Sequence, residues 1–330
     1  MPALRAAAAV ALSAAVLLSL TGCGSDTDPA PSGDTRTVEG AQGTVEIPAE
    51  PERVAVLWRP TLAAATRLGV DVAATAGDPG GDHGLAPFLP EDRDGADVPV
   101  ISASAAENEI DLEELASADP DLIIGVRTQN GFQAEMLPEL EAIAPTVLLD
   151  WTGTDSWRGH LAEVGEVLGR QDEAEQAEQE YSDAVADART EIEEAVGDPA
   201  DTEVSLLRLQ DAQEIRIETP ASFPGQIADD LGLARPEAHT EADGDTDFIS
   251  ESYENLDRAD ADVLFVLSGS GYEDAPETFD SGVWSQLEAV QDERVYAADY
   301  DYWGAANHYA ALRVIDDITA ALTGQAEPAL

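Results

Sequence analysis

The stretch WRGHLAEVGEVLGRQDEAEQAEQEYSDAVADARTEIEEAV, residues 157–196, contains no proline. In it Leu161, Val164, Leu168, Tyr181, Val185, Ala188 and Ile192 recur at mostly three- and four-residue steps. At 3.6 residues per turn that spacing gathers them on one helical face. Gly197-Asp198-Pro199 stops the pattern, as expected of a glycine and a proline just past a helix end. Forty helical residues would run about 60 Å, longer than one small lobe. A bend at Gly169 would give a helical hairpin instead; the continuity of the pattern favours a rod joining two α/β lobes.

On the N-terminal side of this stretch, short apolar runs alternate with helical patterns. Residues 53–57, 72–75, 122–126 and 146–149 read as buried strands, and 62–68, 112–116 and 132–143 as helices. Residues 38–47 alternate around Gly40 and Gly43 and read as a hairpin ahead of them. On the C-terminal side, 203–209 and 214–218 read as a second hairpin, 262–267 and 294–298 as strands, and 223–231, 284–289 and 305–322 as helices. Strand, helix, strand repeated in this way implies parallel sheets with helices on their faces. The expected fold class is α/β: two Rossmann-like lobes with central sheets, joined by a single long connecting helix. Two lobes also suit the roughly 290 residues involved, more than one core usually holds.

Arg5 supplies a positive start, and residues 6–20 form an apolar run rich in Ala, Leu and Val. A span of about 15 residues falls short of the roughly 20 needed to cross a membrane as a helix. The run ends in Leu20-Thr21-Gly22-Cys23, and Cys23 is the sole cysteine. Small residues before a lone cysteine resemble a bacterial lipobox. That resemblance implies a signal peptide over 1–22, a diacylated Cys23, and a protein held extracytoplasmically at the outer face of the cell membrane. Residues 24–34 hold only Gly, Ser, Asp, Thr, Pro and Ala, so 23–36 read as a flexible tether. The N-terminal lobe is then expected over 37–155, the connecting helix over 156–197 and the C-terminal lobe over 198–330.

Sixty-eight acidic residues stand against 16 basic ones, all arginine, for a net charge of −52. Nucleic acid is excluded as a partner, since its phosphates require basic patches. Self-repulsion keeps such a chain soluble but weakens its compact state at low salt. The surface suits a salty milieu, where screening is short-ranged, or equally an ordinary acidic secreted protein. With no second cysteine there is no disulfide framework, and the fold rests on its core.

Val45-Glu46-Ile47-Pro48-Ala49-Glu50-Pro51-Glu52-Arg53-Val54 places a hairpin and two prolines ahead of the first strand. Asp111-Leu112-Glu113 and Ala118-Asp119-Pro120-Asp121-Leu122-Ile123-Ile124-Gly125 follow in order. After them come Ile143-Ala144-Pro145-Thr146-Val147, Tyr253-Glu254-Asn255-Leu256 and Ala261-Asp262-Val263-Leu264-Phe265. Together these resemble the iron-siderophore and cobalamin binding proteins of ABC importers, from about residue 38 to the end. The resemblance implies a class III periplasmic-binding-protein-like architecture with a shallow cleft and little closure. It further implies a monomer without cofactor or catalytic role, which delivers its ligand to an ABC permease and, through it, the ATPase subunits. One acidic residue on each lobe would rest on permease arginines: Glu113 and Glu254, with Glu251 as a near alternative.

Ligands of doubly wound sheets sit beyond the carboxyl ends of the strands. Trp58 and Arg59 follow the first strand, Arg127 the run 122–126, and Trp151 the run 146–149; Arg208 lies on the first strand of the second lobe, and Tyr300, Tyr302 and Trp303 follow the last. An arginine fork donates to oxygens and stays charged, and aromatic rings pack against chelator rings and methylenes. Trp58, Arg59, Arg127, Trp151, Arg208, Tyr302 and Trp303 are therefore the candidate ligand contacts, suited to a Fe(III)-siderophore. Cobalamin, haem or a metal ion are alternative ligands, and a surface-displayed enzyme or adhesion module is the contrasting class. Asp243, Asp245, Asp247 and Glu254 mimic a calcium loop, but Phe248 stands where the loop's turn requires glycine. His83, His160, His239 and His308 are scattered without ligand-like spacing, so no metal site is expected. No catalytic triad, P-loop or dinucleotide glycine fingerprint appears.

Overall fold

Strands β1 (Thr35–Gly40) and β2 (Gly43–Pro48) form the expected antiparallel hairpin. Gly43 turns it at φ 109°, a backbone region closed to residues with a Cβ. The computed structural model describes residues 34–77, 83–93, 95–102, 109–210, 214–241, 246–269 and 282–329. Cys23, the leader, Asp243 and Asp245 lie outside the described residues. The last two residues of the expected tether, Thr35 and Arg36, belong to β1.

β3 (Val54–Val56), β4 (Val72–Thr75), β5 (Leu122–Arg127) and β6 (Thr146–Asp150) make a wholly parallel sheet in the order β4-β3-β5-β6. The second sheet comprises β7 (Val204–Leu209), β8 (Glu214–Glu218), β9 (Phe248–Ser252), β10 (Val263–Ser268) and β11 (Val295–Asp299), in the order β11-β10-β7-β8-β9. Its first three strands run parallel, while β8 and β9 are antiparallel additions at one edge. β9 escapes sequence reading because all five of its residues are exposed or half-buried and show no apolar alternation.

Helices α1 (Arg59–Arg67), α2 (Leu112–Ser117), α3 (Phe132–Glu135) and α4 (Leu137–Glu141) flank the first sheet. The expected helix over 132–143 is thus two pieces meeting at Met136. The decisive stretch is divided too, into α5 (Trp157–Leu168) and α6 (Gln171–Val196). Gly169 takes a left-handed φ of 68°, and Arg170 N–H donates back to the Gly165 carbonyl at 2.7 Å, a glycine-type helix stop. α6 then doubles back: Arg158 pairs with Glu178, and Gly165 lies so close to Ala174 that a Cβ there would be 2.9 Å from the alanine methyl. The forty-residue rod is therefore replaced by a hairpin bent at Gly169. The connecting helix is α6 alone, whose 26 residues run about 39 Å.

In the second half, α7 (Phe223–Asp230), α8 (Glu288–Gln291), α9 (Tyr300–Trp303) and α10 (His308–Leu322) complete the set. α10 starts three residues later than expected because the Asn307 side chain accepts from the N–H groups of Tyr309 and Ala310 and caps it there.

Successive strand residues face opposite sides, and the two sheets share what lies between them. Val54 and Val56 of β3, Leu122, Ile124 and Val126 of β5, and Val147 and Leu149 of β6 join Val204 and Leu206 of β7 and Val263, Phe265 and Leu267 of β10 in one buried cluster. α1, α5, α6, α7 and α10 add to it, including Tyr181 and Ile192. Outer faces pack separately: Ala55, Leu57, Ile123 and Leu115 on the first sheet, and Leu207, Leu209, Leu264, Val266 and Trp284 on the second. The β1–β2 turn covers the free edge of β6, with Ala41 N–H donating to Leu148 O at 2.6 Å and the Gln42 amide bridging Thr146 O and Leu148 N–H. An unpaired edge is a template for aggregation, and this one is closed.

His160 on α5 is buried with Nε2 2.8 Å from the Thr61 hydroxyl of α1, and burial lowers its pKa to about 3. The unfolded chain, with an ordinary imidazole, therefore takes up a proton first as pH falls. The stability this neutral histidine contributes is complete above pH ~6.5 and is lost toward pH ~3, at up to about 1.4 kcal/mol per pH unit. In urea denaturation, the advantage of wild type over His160→Gln is expected to shrink steadily from pH 6.5 to 4. An advantage independent of pH contradicts this.

Candidate functional site

The inner-face rows change character where they reach the carboxyl ends of their strands. Val54 and Val56 are followed in the same row by Trp58, Val147 and Leu149 by Trp151, and Val204 and Leu206 by Arg208. Trp58 is half-buried and meets Trp151 edge to face at 5.6 Å; Trp151, 8% exposed, backs onto His160 at 5.2 Å. Arg59 opens α1 with its guanidinium 5.1 Å over the Phe88 ring.

On the second sheet Arg208 and Arg216 are direct partners across β7 and β8. Like charges directly opposite destabilise a hairpin, so something must hold these two. Arg208 Nε lies 3.0 Å from Glu218 Oε1, with 12% and 3% of the two side chains exposed. Arg208 also donates to the Tyr300 hydroxyl and stacks over Tyr300 at 4.4 Å and Phe248 at 5.0 Å. Arg216 lies 4.0 Å over the same Phe248 ring. Burial raises Glu218 to about 7 against the pull of Arg208, and raises Tyr300 to about 12, keeping its hydroxyl neutral. Thr154, just past β6, donates to Asp247 beside β9 at 3.2 Å and receives the Phe223 N–H at 3.2 Å. That bond ties the first sheet's exit to the second sheet's mouth.

Two expected contacts leave the set. Arg127 has the parity of the outer face and sits beside Asp150 in the β5–β6 register. It grips that carboxylate with both Nε and Nη2, at 2.7 and 2.8 Å, and gives Nη1 to Ala41 O at 2.6 Å. Its guanidinium is thereby tied to β6 and to the β1–β2 turn. Trp303 is fully buried, stacks near Phe265 at 5.2 Å and donates Nε1–H to Asp317 at 2.8 Å; the one-turn helix α9 aims it into the core. Tyr302 stays half-buried between His83, at 5.3 Å, and Arg313, at 4.0 Å.

Three residues of the second-sheet cluster were missed in sequence. Arg216 and Glu218 alternate along 214–218, so hairpin register alone sets Arg216 on the face of Arg208; Phe248 required β9. Of the acidic candidates, Glu113 and Glu254 are exposed, whereas Glu251 is held by Arg258 and Asn255, both at 2.8 Å. Phe248 begins a strand, and the Asp247 carboxylate accepts from Thr154. A groove of about 770 Å³ lies between α5 and α6, lined by Arg158, Leu161, Ala174 and Glu178 among others; no strand end reaches it.

Two sheets bridged by one long helix, with arginines and aromatics at the strand mouths, define a class III solute-binding protein. The chain belongs to the periplasmic binding protein family, whose sequence profile matches residues 88–302. It is 31% identical over 304 residues to the probable siderophore-binding lipoprotein YfiY of Bacillus subtilis, covering 87% of each chain. Its structure is similar to that of Staphylococcus aureus SirA complexed with staphyloferrin B, at a TM-score of 0.71 and 26% identity over 87% of this chain and 98% of that one. It is also similar to the siderophore periplasmic binding protein from the fuscachelin gene cluster of Thermobifida fusca, at 0.67 and 27% over 84% and 98%.

Replacing Arg127 by Ala is expected to lower stability by about 1 kcal/mol, since the ion pair is half exposed but bidentate and also anchors Ala41. Urea denaturation checks this, and the loss should shrink in 1 M salt. Unchanged stability contradicts the clamp.

Proposed function

We propose that this protein captures an anionic ferric chelate of the siderophore type outside the cytoplasm and presents it to the permease of an ABC importer. The observation that carries this reading is the opposed pair Arg208 and Arg216, held between Phe248, Tyr300 and Glu218 at the end of an otherwise aliphatic row. Chelator oxygens would accept from the two forks, and flat chelator surfaces would pack on Trp58 and the neighbouring rings. The similarity to a protein named as siderophore-binding and to one holding staphyloferrin B supports the ligand class. Binding, without chemical conversion, is the role.

Residues 35–155 and 198–330 serve as the two lobes, α6 as their link, and Cys23 as the lipid anchor to the outer face of the membrane. Glu113, exposed in the first turn of α2, and Glu254, exposed beside β9, are the permease contacts. Glu251 is committed to its own lobe by Arg258 and Asn255. The protein works as a monomer.

Titration with ferric complexes of citrate, a hydroxamate and a catecholate is expected to quench tryptophan fluorescence saturably for at least one. Arg208→Ala and Arg216→Ala should each weaken that complex by about 1.5–3 kcal/mol, with Arg127→Ala unchanged. No saturable quenching by any of the three, or wild-type affinity in both arginine variants, overturns the assignment.

For docking, Glu113→Ala combined with Glu254→Ala is expected to abolish uptake of the iron complex by cells while leaving its binding constant unchanged. Undiminished uptake would remove these two glutamates from the interface.

A further inference from the structure

His83 is far in sequence from Asp299 and Asp301, which hides their convergence from any reading of histidine spacing. His83 precedes the short turn at Ala86–Phe88 on the first-lobe side, Asp299 ends β11 and Asp301 lies in α9. Their ligand-type atoms all lie within 4.8 Å of one another. Nε2 of His83 is 2.9 Å from Asp299 Oδ2 and 3.9 Å from Asp301 Oδ2.

Two ligands that each bind one ion at about 2.0–2.2 Å stand no more than about 4.4 Å apart. Both separations from the imidazole nitrogen fall inside that limit. The side chains are also oriented by bonds outside the set. Asp299 uses Oδ1 to accept the Asp301 N–H at 2.9 Å, which turns Oδ2 toward His83. The imidazole edge rests on the Tyr302 ring, 5.3 Å away and itself covered by Arg313 at 4.0 Å. Such outside contacts are how proteins fix the direction of metal ligands. One imidazole with two carboxylates suits a borderline divalent ion of the zinc, nickel or cobalt kind, whereas calcium and magnesium take all-oxygen sets.

We propose that His83, Asp299 and Asp301 form a divalent transition-metal site that ties the first-lobe segment ahead of Ala86 to the end of β11. Three protein ligands leave a fourth tetrahedral position for solvent. The site stands on its own residues and does not rely on the ligand assigned to the arginine cluster. It lies on the same side as a second link between the halves, the Asn307 side-chain amide donating to Pro87 O at 3.0 Å. A bound ion would therefore strengthen an existing junction.

The test uses the mature chain and Co2+ or Zn2+ alone, in 0.5 M NaCl, so that diffuse binding to the acidic surface is screened. Expected are one equivalent of saturable Co2+ binding with visible ligand-field absorption, displacement by Zn2+, and a rise in thermal midpoint. His83→Ala and Asp301→Asn should each weaken binding by more than about tenfold, since losing even an outer partner of a ligand costs that much. Both side chains are partly exposed, and circular dichroism confirms that the variants fold. No saturable binding, or equal affinity in His83→Ala, overturns the site and assigns the uptake to surface carboxylates.

Discussion

The apolar stripe of α6 holds the inner faces of both sheets in a single core. Ala174, Ala177, Tyr181, Ala188 and Ile192 belong to the same buried cluster as the inner faces of both sheets. Trp157 packs edge to face on Tyr181 at 5.2 Å and on Phe223 at 5.6 Å, and the Tyr181 hydroxyl donates to Asp230 at 2.7 Å. On the same helix Glu180 receives Arg67 from α1 at 2.6 Å and His308 from α10 at 3.0 Å. Close-packed interiors transmit strain and resist gradual deformation. A core shared in this way lets neither sheet move far without opening the other's packing, which suits a cleft that is formed before its ligand arrives.

That rigidity matters for the arginines. A chain with net charge −52 surrounds any cation with carboxylates, and several of its arginines are neutralised locally: Arg127 by Asp150, Arg158 by Glu178, Arg235 by Asp229 and Arg258 by Glu241 and Glu251. Arg208 and Arg216 are held differently, against aromatic faces and across one buried carboxylate that burial pushes toward its neutral form. Among the described residues, no carboxylate lies within ion-pair distance of Arg216. Positive potential thus survives at one strand mouth of a strongly acidic molecule, where low-dielectric walls and fixed geometry strengthen it.

Most elements were legible because their signals are local. Short apolar runs such as Val54-Ala55-Val56-Leu57 and Leu122-Ile123-Ile124 declare buried strands, and Gly69 and Gly232 mark helix ends by themselves. The failures have a common physical origin. Gly169 was visible, but whether a glycine merely sits in a helix or ends it depended on Gly165 allowing α6 to pack back against α5. β9 carries no apolar alternation and exists because β8 offers it an edge. Trp58, Trp151 and Arg208 continue the inner-face rows beyond the strand ends, yet Arg127 and Trp303 were chosen by the same criterion and face elsewhere. Being next to a strand end says nothing of which face a side chain takes.

The alternation of strands and helices, the two-sheet α/β class and the concentration of arginines and aromatics near strand ends are all written locally in the chain, because propensity and periodicity act over a few residues. Packing between distant segments folds the stretch 157–196 into a hairpin, gathers Arg216, Glu218 and Phe248 around Arg208, and brings His83 to Asp299 and Asp301. Those outcomes rest on register and on packing between segments far apart in the chain, and no local pattern encodes either.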